Sequence, residues 1–302
     1  MEKIESLFQR HTRFHHFYLR DLRSGQEWEF GTRRAYPMGS CFKLALLMVV
    51  FDALDAEEME RPIAILPEDH VDAGGVLKLF GGTINLTPLQ LCQLILTASD
   101  ATATDILIKR VGLDAVNAKL QQHAPRSHIS RNLADMMRDF RAMPESTTCK
   151  QREWRLAELE EFTKRVAALG ATDARALADL IFATWNYSSP PELAIQYEQC
   201  VQKVARTMAR TEMYFAPVLS TFTKTGSLGY RFFVQDAGIL INQKTPIAVF
   251  AHCSVGWQLP QWIVDCICGE IGLLMLDKLD IERPFSPDWT EAGSAMLHKF
   301  GQ

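Results

Sequence analysis

Two strand-like stretches sit at opposite ends of this chain, with a long helical stretch between them. Residues 14–22, FHHFYLRDL, alternate roughly with period two and are rich in aromatics. Arg23-Ser24-Gly25 then supplies a turn before residues 27–30, so the segment reads as a β-hairpin. Near the other end, residues 221–225, 232–242 and 247–254 read as three strands, with turn chemistry at 226–229 and 242–246. Strand backbone groups need partners. The first and last segments can pair into one antiparallel sheet, and the helical middle would then be an insertion. The expected fold class is α/β in the α+β sense: an antiparallel sheet flanked by helices with an inserted all-helical subdomain. Residues 1–45 plus 215–302 would form the sheet subdomain and 46–214 the helical one, together making one catalytic domain.

The helices carry their own start and stop signals. Ser40 opens an apolar run over 42–54, after Pro37-Met38-Gly39. Thr87-Pro88 starts a helix to 96 with Thr at the cap and Pro at the first helical position. Further helical periodicity covers 101–111 (ended by Gly112), 113–122, 129–140, 173–185 and 192–210, and a last helix covers 261–279. Residues 151–169 form a charged amphipathic helix ended by Gly170.

Composition narrows the class. With 32 basic and 36 acidic residues the net charge is −4, and 47% of residues are hydrophobic, which excludes a disordered chain and a bulk-charge nucleic-acid binder. The seven cysteines are odd in number and widely spaced, unlike a secreted disulfide framework. The first twenty residues contain no apolar signal-peptide core, and residues 262–279 are interrupted by Asp265, Glu270 and Asp277. The expectation is a cytoplasmic protein with reduced thiols, a small-molecule substrate, and neither a nucleic-acid nor a membrane partner. The eight histidines show no zinc-binding spacing, and no phosphate-binding or dinucleotide glycine motif occurs, so neither metal nor cofactor is expected.

Three short stretches carry candidate chemistry. Ser40-Cys41-Phe42-Lys43 places a hydroxyl and an amine one helical turn apart. A serine needs a base to become a nucleophile, and a neutral lysine amine serves. The positive end of a helix would push the Lys43 amine towards neutrality. By itself the motif is equally a helix start followed by a surface lysine. Ser99-Asp100-Ala101 lies between two helices and by itself reads as a plain cap. Lys224-Thr225-Gly226-Ser227 ends a strand, where a glycine often marks the close approach of a ligand or of another backbone.

Taken in order, S-x-x-K, S-D-x and K-T-G resemble the serine β-lactamase and penicillin-binding-protein superfamily, most closely the class A β-lactamases. The segments FYLRDL with SG, YPMGS, LTPLQL, ATATDIL and DAGI are similar to the surroundings of those motifs, and the likeness spans roughly residues 14–279 with a gap near 144–170. The resemblance implies a serine β-lactamase-like fold and an acyl-enzyme at Ser40. Lys43 would be the base beside it, and Ser99 would pass a proton towards the leaving group. Lys224 would keep Lys43 neutral, and Thr225 would bind a substrate carboxylate. The backbone N–H groups of Ser40 and Ser227 would hold the oxyanion, with Gly226 and Asp100 completing the substrate-binding set. Arg231 is a further candidate for a substrate carboxylate.

Two departures stand out. Ala101 replaces the asparagine of S-D-N and offers no side-chain amide. The glutamate of an E-x-x-L-N segment, which in class A enzymes activates the deacylating water, has no counterpart. Asp135, Glu153 and Glu158 are the nearest substitutes, and on a helix face each is equally a solvated charge. The leading reading is a serine hydrolase acting on a small ester, amide or β-lactam-like molecule, with weak or absent β-lactam turnover. One alternative is a working class A β-lactamase with a relocated base. Another is a non-catalytic module that binds a small ligand or partner.

Overall fold

The computed structural model describes residues 1–148, 154–204, 219–228, 232–257 and 259–282. The chain opens with α1 (Glu2–His11), which the sequence reading did not anticipate, and it buries Ile4 and Phe8. The hairpin follows as β1 (Phe14–Asp21) and β2 (Glu27–Gly31), then the short β3 (Tyr36–Pro37). A 3-10 turn, Gly39–Phe42, leads straight into α2 (Lys43–Ala53). Next come α3 (Ala56–Glu60), β4 (Ile63–Ile65), β5 (Ile84–Leu86), α4 (Pro88–Thr97), α5 (Ala101–Val111) and α6 (Leu113–His123). Then follow β6 (His128–Ile129), α7 (Leu133–Ala142), α8 (Leu156–Leu169), β7 (Gly170–Thr172), α9 (Ala174–Trp185) and α10 (Ala194–Glu198). The end is β8 (Ser220–Leu228), β9 (Phe233–Asn242), β10 (Thr245–Val255) and α11 (Gln261–Lys278). Among the described residues no helix is long and apolar enough to cross a membrane.

The five long strands form one sheet in the order β2-β1-β10-β9-β8. Its pairs are all antiparallel, and β1 meets β10 in the register Phe14↔Val255 to Asp21↔Ala248. The first and last parts of the chain thus join in the middle of the sheet, as the split strand pattern requires. Both faces are covered. On β9, Phe233, Ala237, Ile239 and Ile241 point into the larger core shared with the helical layer. Val234 and Leu240 point into a second core under α1 and α11. Two-sided burial explains why residues 237–241 and 247–251 read as continuous apolar runs rather than clean alternation. The second core also encloses a polar group: Asp236, His252 and Cys268 are buried with one ligand-type atom each within 4.8 Å of the others.

Local chemistry fixes the helix ends. The Thr87 side chain accepts from the Gln90 N–H in a reciprocal capping box, with Pro88 at the first position. Asp173 accepts from the Ala176 N–H to start α9. The helix expected over 129–140 begins only at Leu133. His128 and Ile129 are extended against β7, and the Asn132 side chain caps the helix by accepting from the Asp135 N–H. The charged helix expected from 151 begins at Leu156, and residues 149–153 lie outside the described set. The helix expected over 192–210 is described as α10 followed by a π-helical turn over Gln199–Val204, and 205–210 lie outside the described residues. The middle of the chain is not purely helical: β4 pairs with β5, and β6 and β7 form a small sheet that β3, from before Ser40, joins.

Candidate active site

Helix α2 is apolar on every side, and a helix of that kind belongs inside a protein. Residues Lys43 to Phe51 are all buried. The consequence falls on Lys43, which has no exposed surface. Its Nζ donates to the Ser99 carbonyl oxygen at 2.5 Å and lies 3.2 Å from Ser99 Oγ. Lys224, equally buried, points its Nζ from β8 to the same Ser99 Oγ at 3.0 Å and to the Thr225 carbonyl at 2.9 Å. Two amines therefore converge on one hydroxyl. Burial, with the neighbouring Lys224 charge added to it, holds the Lys43 amine well below the usual lysine range. Burial and the second cation thus act on Lys43 in addition to its place at the start of α2.

Ser99 sits in the tight α4–α5 turn with φ +51°, a left-handed conformation that a non-glycine residue adopts only under constraint. The constraint is visible in the two residues that follow it. The Ala101 N–H donates to the Gly74 carbonyl at 2.9 Å. The Asp100 carboxylate accepts from Val76, Leu77 and Ala103 N–H groups at 2.6, 2.9 and 2.9 Å. Asp100 was expected among the substrate-binding residues; its carboxylate is instead committed to backbone donors and fixes the 72–77 loop.

A cavity of about 530 Å³ joins these parts. Ser40, Lys43, Ser99, Ala101, Thr225, Gly226 and Ser227 all line it. The Ser40 turn and the Gly226 strand can meet because neither glycine carries a side chain. A β-carbon on Gly39, where φ is +53°, would lie 2.8 Å from Gln235 Nε2 and 3.2 Å from Gly226 Cα. One on Gly226 would lie 2.4 Å from that same Nε2. The close approach anticipated at Gly226 is thus to the Gln235 side chain, which donates from Nε2 to the Met38 carbonyl just before the Ser40 turn. Gln235 was missed by the sequence reading, because a glutamine in an apolar strand carries no motif. β8 is the outer strand of its sheet on this side, and such an edge presents backbone donors outward.

Of the proposed bases, the two among the described residues do not line this cavity. Asp135 lies on α7 in an ion pair with Arg138 at 2.7 Å and does not line the wall. Glu158, on α8, is also absent from the wall. Glu153 and Arg231 lie outside the described residues. Among the described residues the single carboxylate on the wall is Asp72, whose side chain is 82% exposed and which is held by Lys78 and Arg141 at 3.4 and 3.0 Å. A second carboxylate missed earlier, Asp105 on α5, accepts from the Leu133 and Ala134 N–H groups at 2.6 and 2.8 Å and so docks the start of α7. Burial raises its pKa above the ordinary aspartate value, against the pull of those two bonds and of Lys43.

A reactive-serine candidate, two buried lysines and a second serine, set between an antiparallel sheet and a helical layer, fit the class of serine hydrolases. Solved structures share this fold. A β-lactamase from Chitinophaga pinensis superposes with a TM-score of 0.73 at 15% identity, covering 92% of this chain and 98% of that one. A class A β-lactamase representative from Bacteroides cellulosilyticus gives 0.71 at 16% identity, with 92% and 96% coverage. PBP-A gives 0.66 at 18% identity, with 91% and 95% coverage. No curated protein matches by sequence. The family model described as the beta-lactamase enzyme family matches residues 1–261, and the chain belongs to that family.

One expected result tests the electrostatics of the site. A basic Lys43 acts in its neutral form, so acylation should rise with pH as that amine loses its proton. Removing the Lys224 charge raises the Lys43 pKa and moves this limb to higher pH. Rates of Ser40 acylation against pH, for wild type and Lys224→Met, check it; an unmoved limb would mean that burial alone sets Lys43.

Proposed function

We propose that the protein forms an acyl ester on Ser40 from a small ester, amide or β-lactam-like substrate and releases it slowly. The observation that carries this reading is the convergence of the Lys43 and Lys224 amines on Ser99 Oγ, in the same cavity as Ser40. The neutral Lys43 amine takes the Ser40 proton as Oγ attacks the substrate carbonyl carbon. The Ser40 and Ser227 N–H groups receive the negative charge that develops on the carbonyl oxygen. As the carbon–leaving-atom bond breaks, the proton on Lys43 passes to Ser99 Oγ while Ser99 delivers its own to the leaving atom. A hydroxyl has two acceptor lone pairs and one donor, so with both pairs facing amines its proton is directed away from them. Lys224 tunes Lys43, and Thr225 receives a substrate carboxylate.

Release of the acyl group needs a base for water, and no wall carboxylate other than the ion-paired Asp72 is found among the described residues. Asp100, Gln235 and Asp105 act as positioning residues. A module that only binds has little use for a fully buried lysine, which costs free energy to desolvate. Intact mass after brief exposure to a penicillin and to an activated ester tests the reading. A persistent adduct with little hydrolysis is expected; rapid turnover without an adduct would show that a deacylating base exists.

A further inference from the structure

The wall opposite the polar cluster is unusual for a site that must manage water. Helix α7 sends Leu133, Met136, Met137 and Phe140 to the cavity, the spacing of one helical stripe. Of its charged residues, Asp135 pairs with Arg138 and Asp139 with Arg131, off that wall; Arg141, at the end of the helix, lines the cavity and pairs with Asp72. Ile129, together with Val166 and Leu169 of α8, continues the apolar surface. Leu133, Met136 and Met137 stay only half-buried, so the stripe borders space rather than filling the core. Asp105 pins the start of α7, and Arg141 ties its end to Asp72, so the stripe is held in place at both ends.

We infer that this stripe is a binding subsite for an apolar acyl chain, so that the preferred substrates are esters, thioesters or amides of hydrophobic carboxylic acids. The inference rests on the acyl-Ser40 reading and adds the substrate class. Three features carry it. The apolar wall and Ser40 share one cavity, within the size range of small-molecule sites. An aliphatic acyl chain replaces water on that wall and gains with every methylene. The two methionines, unbranched and flexible, adapt to chains of different shape. The side chains of this stripe carry no carboxylate or imidazole to act as a base for water, which agrees with slow release.

The test is a chain-length series of p-nitrophenyl esters, from acetate to decanoate, read as the acylation rate constant divided by the dissociation constant. In the wild type this quantity should rise by about fourfold per methylene over the middle of the series. Met137→Trp, which fills the subsite, should lower the octanoate-to-acetate ratio at least tenfold by about three methylenes' worth of lost burial. A flat series in a protein whose Ser40 is still acylated would overturn the subsite and leave the acyl-serine reading standing. If no ester and no β-lactam acylates Ser40, the acyl-serine reading falls and the substrate assignment falls with it. Binding of butyrate, octanoate and decanoate to Ser40→Ala by calorimetry gives a readout free of turnover. Affinity that climbs with chain length and is lost with Met137→Trp supports the subsite; affinity independent of length overturns it.

Discussion

Replacing Ser40 by alanine is expected to abolish the covalent adduct and to lower acylation by about 10⁴-fold or more, the scale on which removal of a nucleophile acts. The prediction follows from position. Ser40 lies in the 3-10 turn that feeds α2, half-buried on the cavity wall, with Lys43 one turn along. The neighbouring nucleophile does not substitute for it. Cys41 is fully buried, and its Sγ lies 3.7 Å from the Lys224 carbonyl, away from the cavity lining. Loss of one hydroxyl at a cavity surface leaves the core packing intact, so melting should change by less than about 0.5 kcal/mol. Intact mass and thermal melting of the same sample check both parts. An adduct that persists in Ser40→Ala would assign the chemistry to another group.

Lys43→Met should separate activity from stability. Methionine keeps the length and apolar stem of lysine and removes the amine. Loss of a general base typically costs about 10²–10⁴-fold in rate. For folding the balance runs the other way. A fully buried amine must either lose its proton or be buried charged, and replacing buried ionic groups by apolar ones of similar size is neutral or stabilising by about 1–4 kcal/mol. Against this stands the lost bond to the Ser99 carbonyl, about 1–3 kcal/mol if that oxygen finds no other donor. Retained Lys224 still reaches Ser99 Oγ, so the turn keeps one of its ties. The expected result is a variant at least as stable as wild type and nearly inactive. Urea unfolding beside the acylation assay checks it. A stable, fully active variant would remove Lys43 from the mechanism, and a sharply destabilised one would make its role structural.

Much of the fold was legible because local chemistry wrote it. The hairpin, the Thr87-Pro88 start of α4, the Gly112 end of α5 and the three late strands all appear close to where pattern and turn residues place them. The misses have a common origin. α7 starts late because Ile129 pairs with Gly170 across a small sheet, a partner forty-one positions away that periodicity does not register. α1 looked like a featureless charged start, and only its place over β1 beside α11 gives Ile4 and Phe8 a core to enter.

The site divides in the same way. Residue order alone singled out the candidate side chains: Ser40 and Lys43 on one helical turn, Ser99 before a helix, Lys224 to Ser227 on a strand. It also allowed the two ends of the chain to share a sheet, and the pairing of β1 with β10 is how they do. Only the tertiary structure decided what those residues experience. Burial of α2 on all sides, and the arrival of Lys224 from a strand 181 positions beyond Lys43, set the state of the Lys43 amine. The carboxylate of Asp100 was turned to the backbone, Asp135 was placed outside the cavity, and a glutamine from β9 was brought beneath the Ser40 turn. The Asp236, His252 and Cys268 cluster likewise assembles from two strands and a helix that no spacing rule connects. Composition and period specify which groups are hidden, but desolvation and charge–charge effects depend on distances in space, and those arise only when the chain closes on itself.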